Sequence, residues 1–129
     1  MSNHPDSPEE VFRAFRKSML AGDDHWHKLL AKDVSLTGPL AATTGKEQFI
    51  EVNVPFFASI RGSELHRHVV SGKLVVTEIT TTVAAPGSID IPLEVSEWYE
   101  IENGKITSLR VYFDSSALRA QMKRENTGA

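Results

Sequence analysis

Residues 98–114 read Trp98-Tyr99-Glu100-Ile101-Glu102-Asn103-Gly104-Lys105-Ile106-Thr107-Ser108-Leu109-Arg110-Val111-Tyr112-Phe113-Asp114. Two runs rich in β-branched and aromatic residues meet at Asn103-Gly104, and both of those residues tolerate the positive φ that a two-residue hairpin turn demands. Working outward, the segments Leu65 to Ser71, Lys73 to Ala85, Ile89 to Glu102 and Lys105 to Asp114 all read as strands, separated by Ser-Gly, Pro-Gly-Ser and Asn-Gly turns. A short terminal helix follows.

The first half of the chain has the period of helices. Ser7-Pro8-Glu9-Glu10 is a helix start, with a Ser cap, Pro at the first helical position and acids where the helix dipole favours them. Val11, Phe12, Phe15 and Met19 recur at helical spacing until Ala21-Gly22-Asp23 stops the run. A second, shorter helix capped by Asp23 or Asp24 is expected to carry Trp26, Leu29 and Leu30 and to end near Lys32-Asp33. Val34 to Thr37 then reads as a short strand and Leu40 to Thr44 as a loop. Thr44-Gly45-Lys46-Glu47 opens a third helix, with Phe49, Ile50 and Val54 on its buried face, and Pro55 is expected to kink or end it. Phe56, Phe57 and Ile60 continue the apolar lining. Helices first and sheet last is an α+β order, and a curved antiparallel sheet covered by helices on one face leaves a hollow between the layers.

Glu102-Asn103-Gly104-Lys105-Ile106, followed by Arg110-Val111-Tyr112-Phe113-Asp114 and a short helix, resembles the last hairpin of the SnoaL-like branch of the nuclear transport factor two-like superfamily. The similarity runs from about Val11 to Met122. It implies a cone-shaped α+β barrel, with N-terminal helices packed on a curved, mainly antiparallel sheet around a pocket. The scaffold hosts unrelated chemistries, among them polyketide cyclases, limonene epoxide hydrolases and ketosteroid isomerases, so the site has to be read residue by residue.

Composition narrows the partners. The 129 residues, 40% of them hydrophobic, suit one domain burying about two-thirds of its unfolded surface, expected to span 1–129 with an ordered core from about 7 to 124. Fourteen Lys and Arg against 17 Asp and Glu leave a net charge of -3, which does not draw the protein to phosphate backbones, so no nucleic acid is expected. No cysteine is present, which excludes disulfides, thiolate zinc sites and a Cys nucleophile. Met1 to Glu10 is polar, with two prolines and no signal-peptide core, so a cytoplasmic, non-membrane protein is expected. No phosphate cradle, nucleophile elbow or dinucleotide fingerprint is present, and neither a cofactor nor a metal is expected.

Set against the catalytic branches, the chain keeps little of either set. The limonene epoxide hydrolases share the segment Leu74-Val75-Val76-Thr77-Glu78, but their Arg and Asp on the next pocket-facing positions correspond to Ile79 and Thr81 here. Their further Asp corresponds to Val111, and their water-positioning Tyr and Asn to Leu36 and Gly38. The ketosteroid isomerase base falls on Gly38 and its oxyanion Tyr on Phe15. Its second donor, an Asp on the penultimate strand, aligns with Glu97 and survives as a carboxyl group.

Strand alternation puts Glu97, Tyr99 and Ile101 on one face and Ser96, Trp98 and Glu100 on the other. The resemblance turns the first set toward the pocket, while the strand alone equally allows Glu97 to face outward or a dimer contact. A carboxyl group enclosed by apolar neighbours would have a raised pKa and serve as acid, base or hydrogen-bond donor. His66 and His68, two apart on a strand, are expected to point the same way, toward a shared metal, a pocket or the surface. His25 and His27 flank Trp26 and are expected to be exposed, and His4 belongs to a floppy terminus. The threonines Thr77, Thr80, Thr81 and Thr82 suit β-propensity or, alternatively, substrate hydroxyl contacts.

The expectation is therefore a pocket protein binding a small, largely apolar molecule. It acts either as an isomerase- or cyclase-type proton-transfer enzyme with Glu97 and His66 in catalytic roles, or as a noncatalytic ligand-binding or protein-interaction domain. Phe15, Leu36, Phe57, Ile79, Thr81, Tyr99, Leu109, Val111 and Phe113 are the expected pocket lining. Arg110, Tyr112 and Asp114 fall on the opposite face, expected to pair with a second copy as a homodimer.

Overall fold

The computed structural model describes residues 7–126, so His4 lies outside the described residues. The chain order is α1 (Pro8–Ala21), a 3₁₀ turn (His25–Leu29), β1 (Leu30–Thr37), β2 (Ala42–Thr44), α2 (Lys46–Ala58), β3 (Ile60–Ser71), β4 (Leu74–Ala85), β5 (Ile89–Glu102), β6 (Lys105–Tyr112) and α3 (Ser116–Asn126). The strands form one sheet in the order β2-β1-β6-β5-β4-β3. All neighbours are antiparallel except β1 and β6, which run parallel. The helices pack on this mixed sheet, which curls without closing into a barrel.

Local chemistry explains the ends of α1. The Glu10 backbone N–H donates to Ser7 Oγ at 3.2 Å, and the Ser7 hydroxyl returns a bond to Glu10 Oε1 at 3.0 Å, so an otherwise orphan donor is satisfied. At the other end Gly22, with φ of 78°, donates its N–H back to the last turn, a left-handed cap that a side chain would strain. The β5–β6 turn is as the sequence demands. Asn103 has φ of 52° and Gly104 of 75°, and Glu102 pairs with Lys105 across them.

The structure departs from expectation in several details. The short second helix toward Lys32-Asp33 is a 3₁₀ turn ending at Leu29, and β1 begins at Leu30 rather than Val34. Leu30 pairs with Ile106 of β6, and that parallel pairing overrides the weak strand preference of Ala31, Lys32 and Asp33. The expected loop at Leu40 to Thr44 contains β2, a three-residue edge strand. α2 does not end at Pro55 but continues to Ala58; Glu51, whose carbonyl loses its helical donor, is exposed, as are Val54 and Pro55, so the unmet carbonyl lies at the solvent face. Val54 is exposed, and Asn53 takes the buried position, its side-chain amide donating to the Phe49 carbonyl at 2.9 Å.

The core lies between α1 and the concave face of the sheet. Phe12 and Phe15 are fully buried and each meets the ring of Tyr99 on β5, with centroids 5.3 and 5.8 Å apart. Trp26 of the 3₁₀ turn packs edge-on against Phe15 and Phe57, and its backbone N–H donates to Ser18 Oγ at 2.9 Å. A smaller cluster of Val83, Ala85, Ile91, Leu93 and Leu118 ties α3 to the far ends of β4 and β5. Phe12→Ala is expected to lower the unfolding free energy by about 3–5 kcal/mol, read from the midpoint of a urea titration. A loss under about 1 kcal/mol would mean that α1 is not pinned through this ring.

Candidate functional site

Tyr99, Glu97 and Thr77 form the polar centre of the concave face. Thr77 of β4 is the cross-strand partner of Glu97. Its hydroxyl accepts the Glu97 backbone N–H and donates to Glu97 Oε1, both at 3.2 Å. The Tyr99 hydroxyl, two residues along the same strand, donates to the same oxygen at 2.9 Å. Oε1 is therefore doubly held, and no donor among the described residues is paired with Oε2.

Glu97 borders a cavity of about 60 Å3, lined also by Phe15, Arg16, Asn53, Ser63, Ile79, Thr81, Leu109, Val111 and Phe113. Its side chain is only half-buried by exposed area because it opens on this cavity, yet protein closes around it. Burial raises the Glu97 pKa above that of an exposed carboxyl, opposed by the Tyr99 and Thr77 hydrogen bonds and by the charge of Arg16. Burial, with the neighbouring Glu97 adding to it, also pushes the Tyr99 hydroxyl well above its ordinary value. The phenol thus stays a neutral donor. A carboxyl group with one oxygen fixed, on the wall of a cavity that Phe15, Ile79 and Leu109 also line, is arranged to give or take a proton.

A shallow groove of about 190 Å3 lies beside the cavity, and Asn53, Phe56, Val111 and Phe113 line both. Leu36 belongs to the groove with Gly38, Pro39 and Leu40. Phe15, Phe57, Ile79, Thr81, Leu109, Val111 and Phe113 all line the cavity itself. Tyr99 lies behind Glu97, fully buried.

The two histidines do not share a face. A register irregularity between Leu65 and Arg67 inserts His66 as an extra residue in β3, which reverses the alternation after it. His66 lies on the outer face, its Nε2 2.7 Å from the Thr80 hydroxyl. His68 turns inward against the Phe12 ring and meets Glu9 Oε2 at 2.9 Å. Neither lines the cavity, so the expected support of Glu97 by His66 is geometrically absent. Among the described residues no three His, Asp or Glu side chains gather as a metal site requires. His25 is exposed, while His27 is half-buried edge-on to Trp26.

The threonines divide by face. Thr77 and Thr81 point inward, Thr81 sharing a 3.1 Å hydrogen bond with Ser63, whereas Thr80 bonds Glu94 on the outside. Arg16, Ser63 and Asn53 were not singled out by sequence reading, whereas Thr77 was, among the strand threonines. Arg16 lies four residues after Phe12 and three before Met19, both buried, and that spacing places it on the border of the buried face.

Because the Glu97 pKa is raised in the folded state, the fold favours its protonated form, and stability falls as pH rises from the ordinary carboxylate range through the raised value. Glu97→Gln keeps an acceptor for Tyr99 and Thr77 and removes the titration. Its melting temperature relative to wild type is expected to improve between roughly pH 4 and pH 7. A pH-independent difference would place the carboxyl in a solvent-like setting.

The family model of the SnoaL-like domain matches residues 9–109. No curated protein matches the chain in sequence. Among solved structures it is similar to an NTF2-like protein of unknown function from Cytophaga hutchinsonii, with 21% identity, TM-score 0.78, and 92% of this chain and 99% of that one covered. A protein assigned as a SnoaL-like polyketide cyclase from Jannaschia sp. is 15% identical over 94% of this chain and 96% of that one, with TM-score 0.76. An LEH-like epoxide hydrolase from M. tuberculosis is 19% identical over 95% and 96%, with TM-score 0.74. With the family model covering residues 9–109 and the curled sheet agreeing with the solved structures, the chain belongs to the SnoaL-like domain family, with the NTF2-like fold.

Proposed function

We propose that the protein binds a small, largely apolar molecule in the cavity and groove and moves a proton on it through Glu97. The observation that carries this reading is the Glu97 carboxyl, held at Oε1 by Tyr99 and Thr77 on the wall of a cavity that Phe15, Ile79 and Leu109 also line. In such a step Oε2 takes a proton from the carbon between a carbonyl and a C=C bond; the C–H electron pair becomes a new C=C bond to the carbonyl carbon while the carbonyl π pair moves onto its oxygen. Return of the proton from Glu97 to the far carbon of the original C=C bond, as the carbonyl re-forms, completes an isomerisation. The cavity of about 60 Å3 has room for roughly two waters, well below the usual 300–1,000 Å3 or so of a ligand site. Occupancy therefore extends into the groove, with Phe56 and Phe113 moving aside.

The small cavity, with Glu97 as its one carboxyl group among the described residues, equally favours a second reading, ligand binding without catalysis. Cyclohexanone in deuterated buffer separates the two. Proton transfer predicts deuterium entry beside the carbonyl above the buffer rate, lost in Glu97→Gln. Chemical-shift changes at Val111 and Phe113 without that exchange establish binding alone, and no shift at either residue removes the pocket reading altogether.

We also propose that a second copy pairs through the convex sheet face. Trp98 and Tyr112 project there, 40% and 53% exposed, with their rings edge-to-face at 6.5 Å. Val69, 61% exposed, lies in the same cross-strand row as Val76, Trp98 and Arg110. Aromatic and Arg residues on one patch are the composition of an interface core. Light scattering at micromolar concentration is expected to give a dimer that Trp98→Arg dissociates, and a wild-type monomer would refute the pairing.

A further inference from the structure

Proton transfer through Glu97 leaves one charged group of the cavity without a task. Arg16 is half-buried on α1 and lines the cavity from the helix side. Its Nη2 donates to the Ser63 carbonyl oxygen at 3.2 Å, its one hydrogen bond among the described residues. A guanidinium carries five N–H donors and no acceptor, so most of its donors are left to water or to whatever displaces that water. Glu97 does not take them up. It feels Arg16 through space, and among the described residues the two form no ion pair within 4.0 Å.

The consequence falls on the ligand. A neutral hydrocarbon entering the cavity would expel the water that serves Arg16 and strand its donors, a cost that cancels much of the gain from apolar contact. An oxygen anion removes that cost and adds charge-assisted bonds to a fork built for two parallel contacts. Resting on the reading that this cavity holds a small molecule, we infer that the occupant is an apolar organic anion whose carboxylate or enolate oxygens meet Arg16. Its hydrocarbon body then runs along Phe15, Ile79 and Leu109 toward Val111. This also places a positive group where charge develops when a proton leaves a carbon beside a carbonyl.

Cyclohexanecarboxylate and cyclohexanecarboxamide have nearly the same shape and differ in charge. Their dissociation constants at neutral pH are read from the methyl resonances of Leu109 and Val111. The carboxylate is expected to bind about tenfold tighter or better in wild type. In Arg16→Met it falls to the level of the amide, whose own affinity stays within about twofold. Arg16→Gln serves the same purpose should the methionine variant fail to fold. Equal affinities in wild type, or a carboxylate preference that survives loss of Arg16, overturn the inference while the pocket reading stands. If neither compound moves these resonances, both fall.

Discussion

The contact on which the rest depends is the seating of Tyr99 between Phe12 and Phe15. Both rings come from one face of α1 and both touch the same phenol. That packing fastens the helix into the curl of the sheet and at the same time fixes where the Tyr99 hydroxyl points. From there the hydroxyl reaches Glu97 Oε1, so the hydrophobic core and the polar centre are joined through a single side chain. Tyr serves here for a reason that Phe could not, since a buried aromatic body carries a polar tip that must find a partner. The carboxyl group supplies that partner, and in doing so loses conformational freedom that an acid-base residue does not need.

The cavity is small because large side chains converge on it. Phe15, Phe56, Phe57 and Phe113 close the helix side and the end, and the inward residues of β4, β5 and β6 form the floor. Curling without closure lets the groove beside Pro39 and Leu40 adjoin this interior. An open sheet thus gives the molecule an approach to its own core that a closed barrel would have sealed.

Much of this was legible in the sequence. The Asn103-Gly104 hairpin, the four long strands, the caps of α1 and its buried face all rest on local signals of period and turn chemistry. So does the alternation that sets Glu97 and Tyr99 on one face, because β5 is regular over that stretch. What sequence could not show depended on partners distant in the chain. The early start of β1 is decided by β6, some 75 residues on, and the inward turn of Arg16 by the depth at which α1 sits. The histidines were misread for a different reason. Period-two reasoning holds only in an unbroken strand, and no feature of Leu65-His66-Arg67 announces that one residue is inserted there.

That insertion has a consequence for the whole molecule. β3 is the outermost strand at its end of the sheet, twelve residues long, with a strand neighbour on one side only. A flat strand of that length invites another chain to add itself. The irregularity at His66 breaks the even ladder midway, and Glu64 and Arg67 beside it are exposed and charged. An incoming strand would find its register lost after a few residues and charges in its path. The same residue that separates the histidines guards the sheet against growing by strand addition.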